Sequence, residues 1–294
     1  MKKGYVGGAA AMFFATLVWG TTFVIMKDTL DDVKPLFLLA VRFTIGAVLL
    51  ALVCIPRFKK LDGAYLAHGA LMGVMLCFGY IVQTYGLSLT TPGKNAFLTA
   101  VYCVLVPFIY WITDKKRPDG YNITAAVVCL AGVGMLSLAP GSMGGVNLGD
   151  LLTLGGGLLY AFHIVVVKHA TEKRDDIILL TCIQFATAAV ICIAGTLIFE
   201  GRPVMPTGRP VFSLLYLGVM ATTVALFLQN WGQGRVPPSP AAVILSFEAL
   251  FGAAISMIFG YDEPKPRLFI GFALMFIAVI ISEVKPFKRK KETV

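Results

Sequence analysis

The chain has 294 residues, 57% of them hydrophobic and only 14% charged, with a net charge of +9 and a mean hydropathy of +0.81. Soluble domains carry roughly 25% charged residues, so these values exclude a soluble globular enzyme and a disordered tail protein. The basic residues lie in loops and at the chain ends, which gives no reason to expect nucleic acid as a partner.

Apolar residues fall into ten blocks, at 5–26, 36–55, 65–87, 96–113, 121–139, 151–167, 177–199, 211–231, 240–259 and 268–284. Each is near the roughly 20 helical residues that cross a hydrocarbon core. Backbone groups in lipid must bond internally, as helices or closed barrels, and none of these blocks alternates as a barrel strand does. The expected fold is an all-α membrane protein of ten transmembrane helices, with loops too short to hold a soluble domain. The start, Met1-Lys2-Lys3, resembles a leader's basic region. The run behind it is long and has no convincing cleavage site, so it reads as a retained first span. The six cysteines lie inside spans without a Cys-x-x-Cys pair and read as small packing residues, with no disulfide framework and no metal site.

With the N-terminus placed in the cytoplasm, seventeen Lys and Arg fall inside and seven outside, Arg42 being within a span. That bias predicts cytoplasmic ends for the chain. Self-comparison then shows a repeat. Residues 83–118 align with 229–264 at an offset of 146, matching Gln83, Gly86, Pro92, Ala96 and Pro118 to Gln229, Gly232, Pro238, Ala242 and Pro264. The second span matches the seventh at an offset of 142, placing Arg42 on Gln184, and the first matches the sixth at 141, placing Trp19, Thr22 and Lys27 on Tyr160, His163 and Lys168. Two five-helix repeats, 4–139 and 148–284, are joined by a glycine-rich linker at 141–147 and followed by a basic tail at 285–294. Five spans is an odd number, so the halves cross in opposite directions. Inverted repeats are the architecture on which many secondary transporters build alternating access around a central site.

Several strings carry a family resemblance. They are Trp19-Gly20-Thr21-Thr22-Phe23 with Lys27, Arg42-Phe43, Gly86 through Asn95-Ala96, Gln229 to Pro240, and Glu248. Together with the repeat they make the chain, over nearly its whole length, resemble the drug/metabolite transporter superfamily in its ten-helix EamA-like branch. The resemblance implies a transporter of small polar metabolites, often amino acids, usually outward, in a cell membrane, here a bacterial cytoplasmic one, without a cofactor. At the ninth span Glu248-Ala249-Leu250 stands where the family pattern has Glu-Pro, which predicts a straighter helix there.

Arg42, Glu248 and Glu283 are the charged residues within spans, and Glu283 sits at a helix end. A charge at the centre of a membrane helix costs roughly 2.5–3.5 kcal/mol, so neither Arg42 nor Glu248 is expected to face lipid. Glu248 is a candidate for a substrate ammonium or a proton and Arg42 for a carboxylate. Pairing of the two with each other explains them equally well. Asn95, Thr99 and Tyr102 recur at helical spacing as one polar stripe, and Tyr102 is the repeat counterpart of Glu248. Trp19 and Tyr160 are candidate aromatic walls or simple packing residues. His163 suits either a proton relay or a structural hydrogen bond. Gln83 and Gln229 suit solute recognition or interhelical bonding. Pro92, Pro107 and Pro238 are candidate bending points and so gating positions. Lys27 and Lys168 suit snorkelling to the headgroups or a gate. Gly4-x-x-x-Gly8 and Gly69-x-x-x-Gly73 allow close packing or dimerisation, so a monomer or a homodimer is expected.

The expected function is a secondary transporter of a small-molecule solute, driven by exchange or by ion or proton coupling, because no ATP-binding motif is present. A membrane enzyme would need a cluster such as His-Glu-x-x-His, which the sequence lacks. A lipid flippase or scramblase, or a carrier of a cationic or drug-like solute, is the alternative, with membrane lipids as surroundings or cargo.

Overall fold

The computed structural model describes residues 3–137, 147–263 and 266–284. Every regular element among them is helical: α1 (Lys3–Thr29), α2 (Pro35–Cys54), α3 (Gly63–Ser88), α4 (Pro92–Thr99), α5 (Tyr102–Asp114), α6 (Gly120–Ser137), α7 (Leu148–Lys173), α8 (Ile177–Gly195), α9 (Arg209–Tyr216), α10 (Ala225–Gln233), α11 (Pro238–Leu245), α12 (Phe247–Ile258) and α13 (Pro266–Val284). Eight stretches among the described residues are long and apolar enough to cross a membrane, and two shorter apolar stretches, Gly120–Gly132 and Phe269–Ala278, lie in α6 and α13. Most of the linker at 141–147, the basic tail at 285–294, Lys2 and Lys265 lie outside the described residues, as does the side chain of Glu283.

The helix starts follow ordinary capping chemistry. Asp62, Thr91 and Asp176 accept a backbone N–H at the heads of α3, α4 and α8, and Asn147 with Asp150 forms a reciprocal capping box on α7. The ends of the chain's polar loops are thus satisfied locally, leaving apolar helix faces to pack.

Packing respects the repeat. The dominant partners are α3 with α7 and α8, α2 with α8, α6 with α13, α4 with α12, and α1 with α10 and α12. Exchanging each helix for its counterpart in the other half maps the α2–α8, α4–α12 and α6–α13 pairs onto themselves. The same exchange turns the α3–α7 pair into the α10–α1 pair. Each half therefore packs chiefly against the other.

Two spans are discontinuous. The stretch Pro92–Asp114 breaks at Ala100-Val101 between α4 and α5, and Pro238–Ile258 breaks at Ser246 between α11 and α12. Near the first break the backbone tightens, Cys103 N donating to Ala100 O and Val104 N to Val101 O. At the second, Ala249 N donates to Ser246 O and Ser246 Oγ to Val243 O. By the offset of 146, Ala100 and Ser246 are counterparts. The span Pro238–Ile258, which lacks the family's proline, is interrupted over one residue where its counterpart is interrupted over two. Pro92 and Pro238 are not bends. They open α4 and α11 in the first turn, where no helical N–H is lost. Pro107 lies inside α5, seven residues past the first break.

The span Arg209–Gln233 departs from α geometry in its middle. Leu217–Val224 is π-helical, and Ala225 N reaches Met220 O and Thr222 O, passing over Ala221 O. Gly69 and Gly73 serve contacts within the chain: a Cβ on Gly73 would lie 2.6 Å from Gln184 O and 2.6 Å from Thr187 Cβ on α8. All six cysteines are buried and free, with the Cys103 thiol 2.8 Å from Cys129 and the Cys77 thiol 3.4 Å from Cys192.

Gly73→Leu is expected to destabilise the α3–α8 seam by about 1–3 kcal/mol, because backbone cannot yield as a side chain can. Gly4→Leu, where a Cβ would meet nothing within 4 Å, is expected to leave stability unchanged. Thermal unfolding of the two variants in detergent checks the contrast.

Candidate functional site

Between the two breaks lies a cavity of about 40 Å³, lined from α1, α3, α4, α5, α7, α10, α11 and α12. That is room for a few waters at roughly 10–15 Å³ each. Its wall carries Trp19, Tyr80, Gln83, Asn95, Tyr102, Tyr160, His163, Gln229 and Glu248, among apolar neighbours such as Phe23, Leu76 and Leu245.

Glu248 is the acidic residue on this wall. It begins the second half-helix α12, 7% exposed, and its Oε1 accepts the Tyr102 hydroxyl at 3.0 Å. Tyr102 begins α5 in the same way, immediately past the first break. The two counterparts thus meet across the cavity's floor, each at the start of a half-helix that the break has set free.

Facing them is an amide network. Tyr160 Oη donates to Gln83 Oε1 at 2.8 Å, and Gln83 Nε2 donates to Thr99 Oγ1 at 2.9 Å. Asn95 Nδ2 donates to Gln83 O and, at 2.7 Å, to Thr153 Oγ1 on α7. Asn95 Oδ1 is buried and has no protein partner among the described residues. Thr99 is not on the wall: its hydroxyl accepts from Gln83 Nε2 and donates to Asn95 O, the residue one turn before it on α4. Gly157 on α7 makes the first break accessible, since a Cβ there would lie 2.9 Å from Thr99 O and 2.7 Å from Val101 Cγ1.

Arg42 stands behind this wall. It is fully buried, with its guanidinium carbon 4.5 Å from the centre of the Tyr80 ring. Arg42 Nε donates to Thr222 Oγ1 at 2.8 Å and Nη1 to Met26 Sδ at 3.3 Å, while Nη2 has no protein partner among the described residues. It forms no ion pair with Glu248 or any other described residue. Of the two sequence alternatives for these charges, mutual pairing is therefore not what the fold uses. Tyr80, whose ring covers Arg42 and meets Tyr160 edge-on at 5.5 Å, had only its position one turn from Gln83 to mark it.

Trp19 Nε1 donates at 2.9 Å to Ala221 O, the carbonyl that the π-helical register passes over. A cavity-wall tryptophan and the buried Arg42 thus both hold the π segment. His163, also on the wall, bonds Gln184 Nε2 at 2.9 Å.

The two candidate lysines lie away from the cavity. Lys27 Nζ donates to Leu87 O, Ser88 O and Thr90 O, each at 3.0 Å, closing the end of α3. Lys168 pairs with Glu172 one turn on, at 3.2 Å. At the Lys27 end, Asp262 accepts from Gly93 N, Thr91 Oγ1 and Ser256 Oγ, so a loop of the second half caps α4 of the first.

The chain matches the model of the EamA-like transporter family twice, over residues 6–138 and 147–283. It belongs to that family. It is 30% identical over 272 residues to an uncharacterized transporter of Archaeoglobus fulgidus, covering 92% of this chain and 83% of that one. It is 26% identical over 290 residues to the uncharacterized transporter YoaV of Bacillus subtilis, covering 94% and 96%. A biotin transporter of Escherichia coli is 23% identical over 279 residues, covering 92% and 90%. A solved crystal structure superposes with a TM-score of 0.75 at 17% identity over 94% of this chain and 96% of that one, which shows the shared fold. The family and its relatives are multi-pass membrane transporters, not enzymes, in agreement with the sequence reading.

Tyr102→Phe, Glu248→Gln and the double variant form a cycle for the bond between the halves. A coupling of about 0.5–1.5 kcal/mol is expected from unfolding in detergent. Additive effects would mean that the two side chains do not interact.

Proposed function

We propose that the cavity between the two breaks is the solute site of a secondary transporter. On this reading the protein moves a small polar metabolite, an amino acid or a solute of similar size, outward across the cytoplasmic membrane of a bacterium by alternating access. The observation that carries it is the buried carboxyl of Glu248, which meets its repeat counterpart Tyr102 where both broken spans face the cavity. Non-helical backbone at membrane depth is tolerated where it lines a cavity, and paired discontinuous helices are where inverted-repeat transporters hold solutes and coupling ions. A carboxyl in that place can take an ammonium or carry a proton. Trp19, Tyr80 and Tyr160 offer aromatic faces to the solute's body, and Asn95 Oδ1 offers an acceptor to its N–H or O–H groups.

The small open volume supports an occluded state, from which either end must open to admit solute. The full topology we assign is ten crossings in two repeats, with α6 and α13 as the fifth and tenth and both chain ends in the cytoplasm. It rests on the positive-inside bias and on the family match to both halves.

A proteoliposome panel of radiolabelled amino acids and biotin, with and without a pH gradient, tests the reading. Wild-type protein is expected to accumulate at least one solute, and Glu248→Gln to lose tenfold or more of that uptake together with its pH dependence. Uptake and pH dependence that survive the substitution unaltered would remove Glu248 from the mechanism. Impermeant labelling of single cysteines placed at the chain ends checks the orientation, and labelling from the outside would reverse it.

A further inference from the structure

The buried polar residues do not stop at the cavity. From His163 on its wall, a chain runs through Gln184 Nε2 at 2.9 Å to Asn230, whose Nδ2 donates to Gln184 Oε1 at 2.7 Å and to Thr181 Oγ1 at 3.0 Å. Asn230 is fully buried and its Oδ1 has no protein partner among the described residues. Gln233, 1% exposed, has a partner for neither Oε1 nor Nε2. Gln229, on the cavity wall, and Gln233 lie at i and i+4 on α10, so they share a face. Asn230 sits on the adjoining part of that face. The three orphaned atoms thus lie within about one turn of each other, between the cavity and the end of the molecule where α10 runs into Arg235. That is also the end of Lys173 and Arg174, where α7 stops.

A buried amide with nothing to bond is costly, and here Gln233, orphaned at both atoms, lies one turn from Asn230, orphaned at its oxygen. The repeat sharpens the point. At an offset of 146, Asn230 and Gln233 correspond to Thr84 and Leu87. The matching stretch of α3 thus offers one hydroxyl in place of two amides, and Leu87 there lines the cavity as an apolar residue. Thr84 Oγ1 is likewise buried with no protein partner among the described residues, so the counterpart position is also polar, but the pair of amides belongs to α10 alone.

We propose that Asn230 and Gln233 form a second polar station between the central cavity and the basic end of the molecule. It takes a small ligand that both donates and accepts hydrogen bonds: water, or a hydroxyl or amide group of the solute in passage. The station deepens the transport reading and rests on it for the solute's part. It gives the route toward the basic end a hydrated lining of amides.

The full-length protein in detergent allows a direct test. Gln233→Cys and Val236→Cys are treated with a trimethylammonium methanethiosulfonate and followed by intact mass. Val236 is fully buried and lies nearer the same end, and the six native cysteines are buried, so neither exposure nor end fraying favours Gln233. Gln233→Cys is expected to react at least tenfold faster than Val236→Cys. Equal or slower reaction overturns the station. In a second arm, Gln233→Leu is expected to lower the thermal midpoint, because leucine removes bonds that the amide makes to its ligand. An unchanged or raised midpoint marks a dry, unsatisfied amide and overturns the proposal.

The third arm separates the two sources of ligand, using the panel solute that wild-type protein accumulates. Slowed uptake at unchanged half-saturation in Gln233→Leu assigns the station to the solute, and unchanged uptake assigns it to water. If no panel solute is taken up while Gln233→Cys reacts quickly, the transport reading fails and the station stands. If uptake is robust while Gln233→Cys is inert, the station fails and the transport reading stands.

Discussion

The hydrogen bond from Tyr102 to Glu248 joins two residues that are one position seen twice, once in each half of the chain. It requires the two interrupted spans to bring their counterpart positions to one place. It also requires the surrounding helices to keep a carboxyl out of hydrocarbon, where a charge costs roughly 2.5–3.5 kcal/mol. Most of the described architecture serves those two demands. The α4–α12 contact draws the broken spans together, Gly157 lets α7 lie against the open backbone of the first break, and aromatic residues close the cavity's sides.

The buried charge of Arg42 is handled by different physics. Arg42 is spread over an aromatic face, a hydroxyl and a thioether, and no carboxylate reaches it. A guanidinium is weakly hydrated and stacks on rings, which makes such a place tolerable for arginine and unsuitable for lysine. Its partner Thr222 lies in the π-helical segment, whose skipped carbonyl is taken by Trp19. The eighth span is therefore held in a non-α register by one residue on the cavity wall and one behind it. Any movement of Trp19 acts on the register of that span directly, since the indole bond is the substitute for the helical bond that the π segment forgoes.

Much of this was legible before any coordinates. The periodic apolar blocks marked the helices, and the offset of 146 singled out Tyr102 and Glu248 as a pair. What escaped the sequence was backbone placement. Pro92 and Pro238 looked like bends and are helix starts, whereas the true breaks fall at Ala100-Val101 and Ser246, with no glycine or proline in them. Such breaks are set by tertiary contacts, among them Gly157 of another helix, and local propensity carries no trace of those. Thr99 does share a helix face with Asn95 as the spacing predicts, and what the sequence did not show is that its hydroxyl is taken up by Gln83 and Asn95 O. Arg42 was placed with the cavity because its charge was visible in the sequence, while the Tyr80 ring that screens it was not distinguishable from core.

The repeat also shows where symmetry ends. At one end Asp262 and Ser256 bond each other, and both reach the head of α4 through Gly93 N, so the halves are tied there. At an offset of 146, Ser256 and Asp262 become Tyr110 and Lys116, which also bond each other, Lys116 Nζ donating to Tyr110 Oη at 3.4 Å. The pairing survives, but its sign is reversed. A helix head presents N–H groups and partial positive charge, which a carboxylate satisfies and an ammonium opposes. The matching head of α11 moreover reads Pro237-Pro238-Ser239-Pro240, with three of its four N–H donors removed by proline. The tie at the Asp262 end therefore cannot be remade by the residues at the opposite end. The repeat supplies matching positions at the two ends, and here the exchanges of serine for tyrosine and of aspartate for lysine, with the prolines of α11, give those positions different chemistry.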